Sequence, residues 1–168
     1  MGTMTKPLLN ELREEAAITK RVLDKIPGDK LAWKPHEKSM SLGQLALHVA
    51  TIPGGLSRIT QQDSFDVSQN SFVPPQPSSR DEILNAYEQS VRDAEVYLAG
   101  ITDERAQATW RLLRKDKELM SKPRIGILRS IMFNHWYHHR GQLSVYLRLL
   151  DVPVPVIYGR SADEDPLS

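Results

Sequence analysis

Apolar residues recur at three- and four-residue steps in four stretches of the chain, the signature of amphipathic helices. Leu8, Leu12, Ala16, Thr19, Leu23 and Ile26 predict a first helix from about residue 5 to 26, which Pro27-Gly28 should end. Leu42, Leu45, Val49, Ile52 and Leu56 predict a second. Ser41 and Gln44 form a capping box at its start, and Pro53-Gly54-Gly55 is expected to kink or end it. Ile83, Tyr87, Val91, Ala94 and Leu98 predict a third helix, opened by the capping box of Ser79 and Glu82 and stopped at Gly100. The fourth starts near Pro123 and runs to Leu150. Asp151-Val152-Pro153-Val154-Pro155 cannot continue it.

The connections differ in character. Residues 28 to 40 link the first two helices, with Trp33 and Pro35 expected to pack beneath. Residues 60 to 78 are polar and proline-rich and read as a long surface loop bordering a pocket. Residues 106 to 122, with Ala108, Trp110 and Leu112, read as a short strand pair or an irregular crossover. The acidic tail at 161 to 165 is expected to be partly mobile. Four amphipathic helices with one long central link predict an all-α four-helix bundle with a long crossover, a single domain over residues 1–168.

Bulk properties narrow the function classes. The formal net charge is +1, which argues against nucleic acid or an anionic membrane as partner. No apolar run approaches the roughly 18 residues of a membrane span. The N-terminal stretch lacks the apolar segment of a signal peptide, so the cytoplasm is the expected compartment. The chain has no cysteine, which removes thiolate ligands and a cysteine nucleophile together.

The candidate chemistry lies in histidine. His135, His138 and His139 crowd into the middle of the fourth predicted helix. His135 and His139 are four apart, about 40° around the helix, so their imidazoles share one face a turn apart. That spacing suits two nitrogen ligands on one metal ion. Leu128, Met132, Leu143 and Tyr146 fall on the same face, so the pair is expected to point into the core. His138 drifts about 60° to the other side of His135. It is expected to be an outer-layer or interface group instead of a ligand. Gln142 is expected to face the same cavity, and Arg140 to point away to a carboxylate or solvent. A mononuclear site needs a further ligand, and His48 is the one other histidine predicted on a helix. His36 sits in a charged loop and is expected to be exposed. Trp136 stands where a helical zinc protease carries its glutamate, so that signature is absent. Three imidazoles with an open position describe a catalytic type of site, with softness suited to zinc, nickel, copper or iron.

The run His135-Trp136-Tyr137-His138-His139-Arg140-Gly141-Gln142-Leu143, with His48 in Leu45-Ala46-Leu47-His48, resembles the DinB family. So do Lys34-Pro35 ahead of Ser41-Leu42-Gly43-Gln44, Tyr146-Leu147-Arg148, Val152-Pro153-Val154-Pro155 and Tyr158-Gly159. The likeness runs over nearly the whole chain. It implies an up-down-down-up bundle, often a homodimer. It also implies a divalent metal held by one histidine of the second helix and two of the fourth, at the positions of His48, His135 and His139. Relatives often end the last helix with glycine where this chain has Asp151, so a different C-cap is expected.

Among characterised members the resemblance implies metal-dependent chemistry on a low-molecular-weight thiol. The first expectation is therefore a transferase acting on such a thiol, with zinc or nickel as the cofactor. A metal-dependent hydrolase using a bound water, and a non-catalytic dimeric helical module, are the alternatives.

Overall fold

The computed structural model describes residues 2–69 and 73–165. The long helices are α1 (Lys6–Leu23), α2 (Leu42–Gln61), α3 (Arg80–Gly100) and a final helical rod. The rod consists of α5 (Arg124–Ile127), a π-helical segment (Leu128–Phe133) and α6 (Asn134–Leu149). A short helix α4 (Asp103–Gln107) precedes it, along with three strands: β1 (Ser64–Asp66), β2 (Thr109–Arg114) and β3 (Lys117–Pro123).

Side-chain bonds between helices fix their directions. Tyr87 bonds the carbonyl of Ala16, and Thr5 that of Leu98, so α1 and α3 run oppositely. The Gly54 amide donates to Ser90 Oγ, and the Tyr97 hydroxyl to the Thr60 carbonyl, so α2 and α3 run together. Ser57 meets Met132, and Tyr146 meets Met40, so α2 opposes the final rod. The bundle is up-down-down-up, and the parallel pair α2 and α3 requires the long crossover between them.

That crossover is more structured than its composition suggests. β1 pairs in parallel with β2, Phe65 facing Leu112, and β2 pairs antiparallel with β3 with a bulge between Leu112 and Leu113. The strand pair at 109–123 is thus real, and it recruits a third strand from the loop. The loop's polar residues concealed that strand because an edge strand with little burial shows no apolar alternation. Residues 70–72 of the expected loop lie outside the described residues.

The Ser41 capping box forms in full. Ser41 Oγ accepts from the Gln44 amide, and Gln44 Oε1 accepts from the Ser41 amide. The second box is only half made. Ser79 accepts from the Glu82 amide, while Glu82 turns to the amide and hydroxyl of Ser78. Asp151 does not change the last C-cap. It adopts φ +56° itself, and the Val152 amide reaches back to Leu147, as in a glycine-type cap.

Pro53-Gly54-Gly55 neither ends nor breaks α2, which continues to Gln61. Proline at 53 cannot donate to the carbonyl four residues earlier, that of Val49. The indole Nε1–H of Trp136 donates to that carbonyl at 3.0 Å, so the acceptor freed by the proline is used between helices. Gly54 then lets α3 approach, because a Cβ there would lie 2.8 Å from Ser90 Cα and 2.9 Å from Ser90 O.

Two arginines are buried in this frame. Arg124 donates to the carbonyls of Thr60, Gln62 and Arg105 and pairs with Asp63 at 2.8 Å, collecting the loose carbonyls at the end of α2. Arg140 pairs with Glu15 at 2.7 Å and donates to Thr19, with the rings of Tyr137 and Tyr158 around it. It does point to a carboxylate, but it is 1% exposed. The acidic tail is tied down as far as it is described. Asp163 pairs with Arg148 and accepts from the Val154 amide, and Glu164 pairs with Arg21 and accepts from the Val156 amide.

Gly54→Ala is expected to destabilise the protein by about 1–3 kcal/mol, because α3 must move away. Gly55→Ala, where a Cβ meets nothing within 4 Å, is expected to be neutral or slightly stabilising. Urea midpoints of the two variants check this, and equal midpoints would contradict the close approach.

Candidate metal centre

The final rod presents two faces, separated by the geometry of its π turn. Leu128 and Phe133 are five apart and both fully buried, as the wider turn allows. From there Trp136, Arg140, Leu143 and Leu147 follow at steps of four and three as the buried stripe of α6. His135 and His139 therefore flank the buried stripe and are half-buried, not core residues as the α-helical stripe predicted. The stripe was legible at 133, 136, 140, 143 and 147, but an arginine in its middle disguised it. His138 is exposed, and so is His36, whose Nδ1 accepts from the Lys38 amide.

The Trp136–Val49 bond sets the site. His135 precedes Trp136 and His48 precedes Val49, so the bond that locks α6 to α2 places the two histidines side by side. Their Nε2 atoms are 3.0 Å apart. His139, one turn along, completes a triangle with ring centroids 5.1, 4.5 and 4.3 Å apart and planes 79–89° to each other. One ring nitrogen from each of His48, His135 and His139 lies within 4.8 Å of the other two. Two ligands each about 2.0–2.1 Å from one ion would be about 3 Å apart, so the His48–His135 spacing fits a shared ion. This is the one such group of histidines and carboxylates among the described residues, and it contains no carboxylate.

Electrostatics keep the three rings neutral. Burial, then the neighbouring His139 and His135, lower the His48 pKa to about 4. Burial, then His139 and His138, lower that of His135 to about 4 as well. Burial lowers His139 too, against the opposing effect of a bond to Gln142. Gln142 Oε1 accepts from His139 Nδ1 at 2.7 Å. Neutral imidazoles carry a free lone pair at pH 7, so this group can hold a metal ion.

A cavity of about 740 Å³ lies elsewhere, between α2 and α3, and none of the three histidines lines it. Several of its polar groups engage one another or neighbours: Arg58 pairs with Asp93, Tyr97 with the Thr60 carbonyl, and Arg105 with Asp63. Convergent chemistry, not cavity size, marks the candidate site.

The architecture is a helical bundle with a half-buried histidine triad, contributed by two facing helices at the edge of their seam. The chain belongs to the DinB family, whose sequence model matches residues 1–165. Its relatives include an uncharacterized protein of Bacillus subtilis strain 168, YrdA, 24% identical over 150 residues, covering 89% of this chain and 85% of the relative. A DinB-like protein of Bacillus cereus ATCC 10987 has a similar structure, with TM-score 0.71 and 23% identity over 89% of this chain and 95% of that one. The DinB-like protein YjoA of Bacillus subtilis superposes with TM-score 0.70 and 19% identity, over 91% and 97%. No described helix is long and apolar enough to cross a membrane.

Trp136→Phe removes the indole donor to the Val49 carbonyl, and is expected to cost about 1–3 kcal/mol in urea unfolding. Acid is expected to destabilise the metal-free protein as well. The folded pKa values of His48 and His135, near 4, lie below the ordinary 6.5. Between those values the unfolded chain binds protons that the folded one refuses, so stability falls as pH drops from 6.5 toward 4. Urea midpoints across that range check this, and the slope should be shallower in His135→Asn.

Proposed function

We propose that this protein is a divalent-metal-dependent enzyme that acts on a low-molecular-weight thiol, with His48, His135 and His139 as the metal ligands. One observation carries the reading: three neutral imidazoles converge, with no carboxylate among the described residues of the cluster. Such a nitrogen set suits zinc or nickel, and also admits iron or copper. A divalent ion there would supply a Lewis acid that lowers the pKa of a small thiol.

The chain's own residues have distinct tasks in this reading. His48, His135 and His139 bind and stay unprotonated. Trp136 and Val49 hold α6 and α2 at the distance the ligands need. Gln142 orients His139. The chain has no cysteine, so the sulfur comes from the substrate.

The His48 and His135 pKa values lie near 4 and that of His139 is lowered too, so zinc affinity is expected to persist to lower pH than at ordinary histidines and to fall as the pH approaches 4. Affinity for a site of ordinary histidines would already fall near 6.5. Chelator competition across this range distinguishes the two. His48→Ala and His139→Ala should each lose at least about 100-fold in affinity.

Activity is tested by mixing zinc- or nickel-loaded, untagged protein with glutathione, cysteine or coenzyme A and monobromobimane. A metal-dependent acceleration that disappears in His139→Ala supports the reading. No acceleration with any of these thiols, alongside turnover of an ester or amide that needs His48, would replace it with the hydrolase.

A further inference from the structure

The three histidines are neutral alike, but they are not prepared alike. Each neutral imidazole has one N–H and one lone pair, and the partner of one nitrogen decides which is which. His139 Nδ1 lies 2.7 Å from Gln142 Oε1, an oxygen that can only accept. Nδ1 must therefore carry the proton, which leaves the lone pair on Nε2. His48 and His135 differ. Their Nε2 atoms face each other at 3.0 Å, so one donates its N–H to the other's lone pair. Binding one ion through both of these Nε2 atoms requires that proton to leave Nε2 and return on Nδ1 of the same ring. The net charge does not change, but the bond between the rings is lost.

We propose that Gln142 is a positioning residue that sets the Nδ1–H tautomer of His139, making it the one ligand of the three already prepared for a metal. This rests on the three-histidine reading above. Gln142 is exposed and lies one turn beyond the ring it orients. Its amide oxygen has this ring nitrogen as its hydrogen-bond partner. On the opposite side of α6, the buried Arg140 anchors the helix to Glu15 and Thr19. The anchor fixes the backbone, and Gln142 fixes the ring that extends from it. His139 then needs no tautomer change on binding, whereas the His48–His135 pair needs one. The consequence is an order of engagement, with His139 first and the pair closing afterwards.

The experiment is nitrogen-15 NMR of the imidazoles in metal-free protein at neutral pH, followed by zinc titration. In wild type, His139 should show Nδ1–H and an unprotonated Nε2, unchanged when zinc is added. One ring of the His48–His135 pair should switch from Nε2–H to Nδ1–H on zinc binding. Gln142→Ala should release His139 to the Nε2–H form that free imidazole side chains prefer, and weaken zinc affinity about tenfold. Gln142→Glu keeps an acceptor, so it should retain the wild-type tautomer and bind zinc as tightly or more tightly. A residue that merely supported the helix would move neither tautomer nor affinity in this pattern. Nε2–H on His139 in the wild-type protein would overturn the proposal, and so would wild-type affinity in Gln142→Ala. The tautomer measurement needs no metal. A wild type that shows the Nδ1–H form yet binds no zinc therefore defeats the three-histidine reading and leaves the role of Gln142 on His139 standing.

Discussion

The hydrogen bond from the Trp136 indole to the Val49 carbonyl is the contact on which the site depends. Pro53 creates the need for it by removing the amide that α2 would have used at that position. The bond lies in the fully buried seam between α2 and α6, where an unpaired carbonyl is costly. It therefore fixes both the distance between the helices and the rotation of α6. His48 and His135 each precede one end of that bond, so their meeting follows from a packing solution. Gly54, one residue after the proline, lets α3 close on the other side of α2.

The remaining polar groups of the interior do the same kind of work at other levels of the bundle. Arg124 gathers the loose carbonyls where α2 ends and ties them to the start of the final rod. Arg140 joins α6 to α1 through Glu15, and Tyr158 donates to that same carboxylate. Both cations are buried and both have carboxylate partners, which is the condition for a buried charge to be tolerated. Arg140 also leaves its Nε atom without a hydrogen-bond partner among the described residues, while the faces of Tyr137 and Tyr158 lie over its guanidinium. The tail owes its order to ion pairs with Arg21 and Arg148, so its acidic composition marks an attachment.

The chemistry of the triad comes from where the rod stands. Had His135 and His139 pointed fully inward, they would have been satisfied core residues. Had they pointed outward, they would have titrated like free histidine. At the edge of the seam they lose enough water to stay neutral and keep their ring nitrogens turned toward one another. The π turn contributes to this placement. It lets Leu128 and Phe133 both reach the core and leaves the histidines beside the buried stripe.

The sequence by itself determined the four long helices, the Ser41 cap, the hairpin position and the grouping of His135 with His139. These follow from periodicities and caps that act over a few residues, where the chain's own geometry leaves little freedom. Parts of the crossover escaped it, since β1 is a short edge strand whose partner lies far along the chain. The continuation of α2 through Pro53 was decided by tertiary structure, because the acceptor freed there is satisfied from another helix. So was the burial of Arg140, whose partner Glu15 is distant in sequence. His48 was reached by elimination, as the one other histidine predicted on a helix, since a lone histidine at the edge of an apolar face has no local mark of its role. Only the packed bundle brings its Nε2 to that of His135, and only there does Gln142 acquire a ring to orient.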